Sequence, residues 1–182
     1  MTARLERCTE SDIEALRAIS METFVEAFGE HNTTEAMGQY LRTTLSQGAL
    51  LAELQTAGSE FYLAIVDGMV AGYLKINTGS AQNEAMGERA LEVERIYTTC
   101  KGQGLGALMM NHAIAIAQER ELNTVWLGVW EHNGPALGFY RHLGFEQFGE
   151  HSFMLGSDLQ TDLLMELTVS VSAKAANGRQ GV

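Results

Sequence analysis

Proline is nearly missing from this chain, with one residue in 182, and cysteine is scarce at two. Cationic side chains are also few: 12 Lys and Arg face 23 Asp and Glu, for a formal net charge of −11. Each scarcity removes a class of protein. Without proline there is no Pro-rich linker or extended recognition segment. Cys8 and Cys100 have no metal-ligand spacing, so isolated thiols of a cytoplasmic chain are expected rather than a zinc site or a disulfide framework. The acidic balance argues against nucleic acid as a partner, because phosphates select the opposite charge. No apolar run approaches the ~18 residues of a membrane span, and the N-terminus lacks the basic-then-apolar layout of a signal peptide, so no membrane partner is expected. His31, His132 and His151 are scattered, and no metal site is expected from them.

The chain is well supplied with core-forming residues, 46% hydrophobic, and with glycine, 19 residues. That suits one domain, expected over residues 1–169, followed by a Ser-, Ala-, Gly- and Asn-rich tail expected to be disordered. An acidic surface draws cationic small molecules or basic peptides, or it serves only to keep the chain in solution.

Patterning predicts a strand over 3–8, then a helix through Ile13, Leu16, Ile19, Phe24 and Phe28. A break at 29–35 precedes helical segments to about Gln55. Strands at 60–66 and 69–77 join at Asp67-Gly68, a tight-hairpin signal. A polar loop, 78–87, leads to a strand near 90–99, a helix over 105–120 and a strand over 124–130. The next helix starts near Asn133, with Pro135 in its first turn, and stops at Leu143-Gly144. Residues 145–169 read as two strands around a turn at Gly156–Gln160. The resulting class is α/β (α+β), a mixed sheet of about seven strands flanked by about four helices.

The most informative stretch runs from Glu94 to Arg120, where a β-branched and aromatic strand stops at a glycine-punctuated loop that opens into a helix. Gly102, Gly104 and Gly106 let the backbone approach a ligand closely, and the helix start offers unpaired N–H groups and the positive end of a dipole. That combination is an anion cradle suited to phosphate or pyrophosphate. The glycine register is not that of a dinucleotide fold, and the next strand carries no carboxylate before Glu131. The Gly-Lys-Ser/Thr ending of a nucleoside-triphosphate loop is absent too. A third reading is an acyl-CoA cradle, whose pattern the run Lys101-Gly102-Gln103-Gly104-Leu105-Gly106, followed by Ala107, resembles, and the alternative is a glycine-rich turn that only permits tight packing. Lys101 keeps a positive group at the first position but lacks the planar fork of arginine.

At this loop the chain resembles the GNAT superfamily of N-acetyltransferases. A second group, Asn133, Ala136, Phe139, Tyr140 and Gly144-Phe145, matches that superfamily's spacing. Acyl transfer from a thioester to an amine passes through an oxyanion and expels a thiolate, which a nearby phenol can protonate. The resemblance implies the GNAT fold with a splayed sheet, acetyl-CoA as co-substrate, Tyr140 as general acid and Asn133 on the pantetheine arm. It implies that Ile96, Tyr97 and Thr98 pair with the pantetheine amides as an added strand would, with an N–H near Ile96 facing the oxyanion. It also implies that amides of residues 103–107 hold the pyrophosphate. Many members carry a Glu inside the strand matching 124–130, where this chain has Leu127-Gly128-Val129.

Glu92 and Glu94 alternate with Val93 and so face one side, where either is a candidate general base acting through water. The alternative is that both are solvated, or that Glu94 pairs with Arg95 or Arg89. The segments 22–33, 59–77, 91–97, 126–133 and 151–168 are similar to PaiA-type polyamine acetyltransferases. That similarity implies spermidine, spermine or a related small-molecule amine as acceptor, with a homodimer as the assembly allowed for. Glu22, Phe24, Phe28 and His31, with Trp130 in the later strand, are the candidate acceptor contacts, beside Glu26, Glu30 and Tyr40. The aromatics serve equally well as core and the glutamates as a solvated face. A protein N-terminus or lysine as acceptor, and a non-catalytic acetyl-CoA-binding regulatory module, are the competing functions.

Overall fold

The computed structural model describes residues 2–155 and 158–170, and it turns the alternating stretches into one seven-stranded sheet. The strands are β1 (Ala3–Arg7), β2 (Ser59–Val66), β3 (Met69–Thr78), β4 (Ala90–Thr98), β5 (Thr124–Trp130), β6 (Glu146–Leu155) and β7 (Asp158–Thr168). The helices are α1 (Ile13–Phe28), α2 (Thr34–Thr43), α3 (Gln47–Gln55), α4 (Leu105–Glu119) and α5 (Gly134–His142). Five helices thus stand where about four were expected. Hydroxyl caps draw the extra boundary: Thr33 Oγ1 accepts from the Ala36 amide and Ser46 Oγ from the Ala49 amide, each at 3.2 Å. The hairpin at Asp67-Gly68 forms with positive φ at both residues, 49° and 87°. β7 begins at Asp158, so the turn expected over Gly156–Gln160 closes earlier; residues 156–157 and the expected disordered tail lie outside the described residues.

Helices cover both faces, giving three layers. On one face α4 and α5 pack Met109, Met110, Ala113 and Leu137 against Leu91, Val93, Leu127 and Val129. On the other, α1 and α3 pack Leu16, Ile19 and Leu50 against Phe61, Leu63 and Tyr73. Every full burial of such a side chain contributes about 1.5–3 kcal/mol, so the two cores hold the sheet rigid between them.

Strand order is β1-β2-β3-β4-β5-β7-β6, and β4–β5 is the parallel pair, joined through α4. That pair is short. Ala90, Leu91 and Glu92 match Thr124, Val125 and Trp126, after which the two strands part. β4 runs on to Thr98 held by β3, and β5 to Trp130 held by β7. The result is a wedge in mid-sheet whose backbone N–H and C=O groups lack a strand partner. A bulge lies at its start: Lys75 matches Arg95 and Ile76 matches Val93, leaving Glu94 as an extra residue that bends β4.

Candidate active site

The glycine loop enters α4 through backbone that only glycine adopts easily, with φ of 73° at Gly102 and 80° at Gly104. No protein atom lies within 4 Å of where a Cβ would stand on either one, so both face open space. The first helical bond is Leu108 N–H to Gly104 carbonyl at 3.0 Å, and no side chain caps the helix. The amides of Leu105, Gly106 and Ala107 are therefore without intrahelical acceptors, as an anion cradle requires. Gly106 differs from its neighbours: a Cβ there would touch Phe139 of α5 at 3.7 Å, so it serves helix packing. Lys101 Nζ binds Glu26 Oε1 of α1 at 2.6 Å, both side chains being exposed. The cationic end of the loop thus already has a carboxylate partner from another element.

Helix α5 stands against the start of α4 and carries Tyr140. Asn133 sets its first turn, accepting from the Ala136 amide through Oδ1 at 3.2 Å, and Gly144, with φ of 91°, ends it. Tyr140 is buried between Phe139 and Phe145, with ring centroids 5.3 and 5.9 Å away. Burial alone pushes its phenol upward, so the group keeps its proton at neutral pH. The pKa of Tyr97, in the free-edged part of β4, is raised by burial and then by the phenols of Tyr73, Tyr140 and Tyr40.

The carboxylates expected on one side of β4 do meet, at Asn77. Its Nδ2 donates to Glu92 Oε2 at 3.0 Å and to Glu94 Oε2 at 2.6 Å. Their electrostatics then diverge. Glu92 is buried and also accepts from the Asn83 backbone and side chain, at 2.9 and 2.8 Å. Burial raises its pKa despite these bonds. Burial pushes Glu94 up as well, but Arg95 and Lys75 overrule it and hold the carboxyl below its usual range. Lys75 Nζ reaches Glu94, Arg95 Nη2 reaches Glu94 Oε1 at 3.1 Å, and both cations also pair with Glu53 of α3. The bulge makes this cluster, because it brings Glu94 and Arg95 onto the same face. Lys75, Asn77 and Glu53 escaped sequence reasoning, with a lysine between apolar Leu74 and Ile76 as the available signal, whereas the pairing of Glu94 with Arg95 is one of the alternatives the sequence offered. Six of the residues lining an adjoining cavity of about 310 Å3 are Glu53, Lys75, Asn77, Asn83, Glu94 and Arg95.

The aromatic candidates gather on this same face. Phe24 stacks on Tyr40 at 4.0 Å and lies 4.9 Å from Phe28, which meets Tyr97 edge-on at 6.4 Å. The chain of rings thus runs from α2 to β4. Trp130 ends β5 and meets His132 edge-on at 5.2 Å. Glu22 is exposed on α1, and Glu26 one turn on is the residue that holds Lys101. His31 falls in the turn after α1, and its side chain lies outside the described residues. Cys8 and Cys100 are unpaired, and no group of His, Cys, Asp and Glu among the described residues has metal-site geometry.

Comparison with known proteins agrees with this geometry. The model of the acetyltransferase (GNAT) family matches residues 13–145. An uncharacterised N-acetyltransferase of Lactobacillus delbrueckii subsp. lactis is 42% identical over 165 residues, 90% of this chain and 95% of that protein. Among solved structures, the PaiA N-acetyltransferase of Thermoplasma acidophilum in complex with coenzyme A superposes with a TM-score of 0.75 at 19% identity, covering 92% of this chain and 99% of that one. The ribosomal-protein-S18-alanine N-acetyltransferase of Escherichia coli gives 0.70 at 16% identity, covering 96% and 98%.

Proposed function

The chain belongs to the GNAT family and is an N-acetyltransferase that uses acetyl-CoA, and we propose that it delivers the acetyl group to a primary amine of a small polycation of the spermidine or spermine kind. The observation that carries this reading is the sheet wedge, with an uncapped glycine-entered helix on one side and an aromatic, carboxylate-bearing face on the other. Acetyl-CoA supplies the activated acyl group. The amides of residues 103–107, with Gln103, hold its pyrophosphate, Lys101 competes for it against its bond to Glu26, and the free edge of Ile96, Tyr97 and Thr98 receives its amide-bearing arm. Asn133 and Ala136, at the start of α5, border that arm.

Tyr140 gives its proton to the departing thiolate, a role suited to a phenol that burial keeps neutral. Glu92 takes the amine's proton through water, since its raised pKa gives it more basicity than Glu94. Glu94 stays ionised against Lys75 and Arg95 and, through Asn77, positions Glu92. Phe24, Phe28 and Trp130 wall the methylenes of the acceptor, with exposed Glu22 toward the outer end. A formal charge of −11 and the distant likeness to a PaiA structure support a cationic acceptor.

The test is thiol release from acetyl-CoA with spermidine present. Amine-dependent release that Tyr140→Phe suppresses is expected. Release from neither spermidine nor any other primary amine would overturn the reading.

A further inference from the structure

Strand β5 presents Trp126, Gly128 and Trp130 to the face opposite α4, because Val125, Leu127 and Val129 belong to the core beneath that helix. Gly128 lies in the parted region, beyond the last match with β4 at Trp126, and is exposed. The space above it is bordered by Asp162 and Leu164 of β7, with Leu164 Cδ2 3.8 Å from where a Gly128 Cβ would stand. Asp162 Oδ2 stands 3.5 Å, and its Cβ 3.7 Å, from the point that a Gly128 Cβ would occupy. A residue of β7 therefore supplies the carboxylate on this patch of β5, at the lip of the wedge.

Three features mark this carboxylate as a cation site. It is half-buried, yet no hydrogen bond or ion pair joins it to a side chain among the described residues. Burial raises its pKa, and His151, its neighbour across β6, only partly opposes that. His151 is itself engaged, with Nδ1 2.8 Å from Glu84 Oε1 of the loop before β4. Asp162 also lies directly opposite Trp130 in the antiparallel β5–β7 register, so carboxylate and indole share one face. Cross-strand partners hold their Cβ atoms about 4.5–5.5 Å apart, a span that one ammonium group bridges. A carboxylate beside an aromatic face is the pairing that recognises an alkylammonium, by charge and by the ring quadrupole.

We propose that Asp162 anchors the ammonium group of the acceptor, with Trp130 as its aromatic wall and the gap above Gly128 as its seat. The inference rests on the acetyltransferase reading above and names the residue that selects a cationic acceptor. Arrival of the ammonium gives the carboxylate an ion-pair partner that no described side chain supplies, and the absent side chain at Gly128 leaves room for it. Asp162 thereby presents the nitrogen at the edge of the wedge, beside the free edge of β4.

Steady-state kinetics of Asp162→Asn with spermidine and acetyl-CoA test this. The expected result is a KM for the amine raised about 10- to 100-fold, the equivalent of one charge-assisted hydrogen bond. kcat at saturating amine, the calorimetric affinity for acetyl-CoA and the unfolding temperature are expected to stay unchanged. Moving the carboxylate to β5, in the double variant Gly128→Asp with Asp162→Asn, should recover most of the lost amine affinity. An unchanged KM overturns the proposal, and so does a loss that acetyl-CoA affinity shares or that the moved carboxylate does not recover. A wild-type protein that acetylates no amine overturns the acetyltransferase reading itself, an outcome distinct from an active wild type matched by Asp162→Asn.

Discussion

Tyr140 and Glu94 show how two side chains near one wedge are set to opposite protonation tasks. Burial among Phe139 and Phe145 keeps the phenol neutral, as the proposed acid role requires. Tyr140→Phe removes that proton without opening a cavity, so turnover should fall about 10²- to 10⁴-fold while calorimetric binding of acetyl-CoA is retained. Equal turnover would remove Tyr140 from the acid role. Glu94, half-buried, is held ionised by Arg95 and Lys75, and Lys75 is itself buried. Glu94→Gln keeps the shape but leaves Lys75 with Glu53 alone, a loss of about 1–3 kcal/mol in urea unfolding at pH 7. Because the folded-state pKa of Glu94 is lowered, its contribution is complete above the unfolded carboxylate value and disappears as pH falls through the folded value. The gap between wild type and variant should therefore narrow in acid, and a gap independent of pH would contradict the ion-pair account.

At the scale of elements, the glycine loop divides its residues between conformation and packing. Gly104 sits at φ 80°, where an L side chain costs about 1–2 kcal/mol, and its open side is the side proposed for acetyl-CoA. Gly104→Val should abolish measurable acetyl-CoA binding by calorimetry and lower the unfolding temperature. Gly106→Ala, whose added carbon makes ordinary contact with Phe139, should leave the fold intact. The pairing of Lys101 with Glu26 joins two exposed side chains and adds little to stability. Glu26→Gln should release Lys101 for phosphate and tighten acetyl-CoA several-fold at low salt, with the unfolding temperature unchanged. Much of this element was legible in the sequence, because glycine spacing and a following apolar helix are local signals. The bulge at Glu94 was not, since it depends on how β4 registers against Lys75 and Ile76. Alternation alone placed Glu92 and Glu94 on one face, correctly, and the pairing of Glu94 with Arg95 was among the readings offered, but the joining of Lys75 and Glu53 to that pair was not. The N-terminal helices were blurred for a similar reason: Thr33 and Ser46 act as caps in the structure, yet nothing local ranks them above the other hydroxyl residues around them.

For the molecule as a whole, the strand and helix order in the sequence led to a mixed sheet between helix layers. The parting of β4 and β5 came instead from family resemblance. Its physical basis is tertiary, with each strand retained by a different outer neighbour, β3 or β7. Asp162 illustrates the same limit. It is more than 30 residues from Gly128 in sequence, and only the β5–β7 register sets its carboxylate over that glycine. The acidic balance has a direct consequence for kinetics. A formal charge of −11 should steer a polycation, so its kcat/KM should fall as salt shortens the Debye length from about 10 Å at 0.1 M to about 3 Å at 1 M. A neutral-pH acceptor carrying one charge should respond less.

The most direct measurement of the central claim is a competition: spermidine and a short peptide with a free N-terminus, at equal concentration, with acetyl-CoA limiting and products identified by mass spectrometry. The wedge, its aromatic wall and its carboxylates predict that acetylspermidine dominates by about 10²-fold, the discrimination a paired charged site gives over an acceptor that leaves it unpaired. Acetylated peptide as the main product would contradict the account.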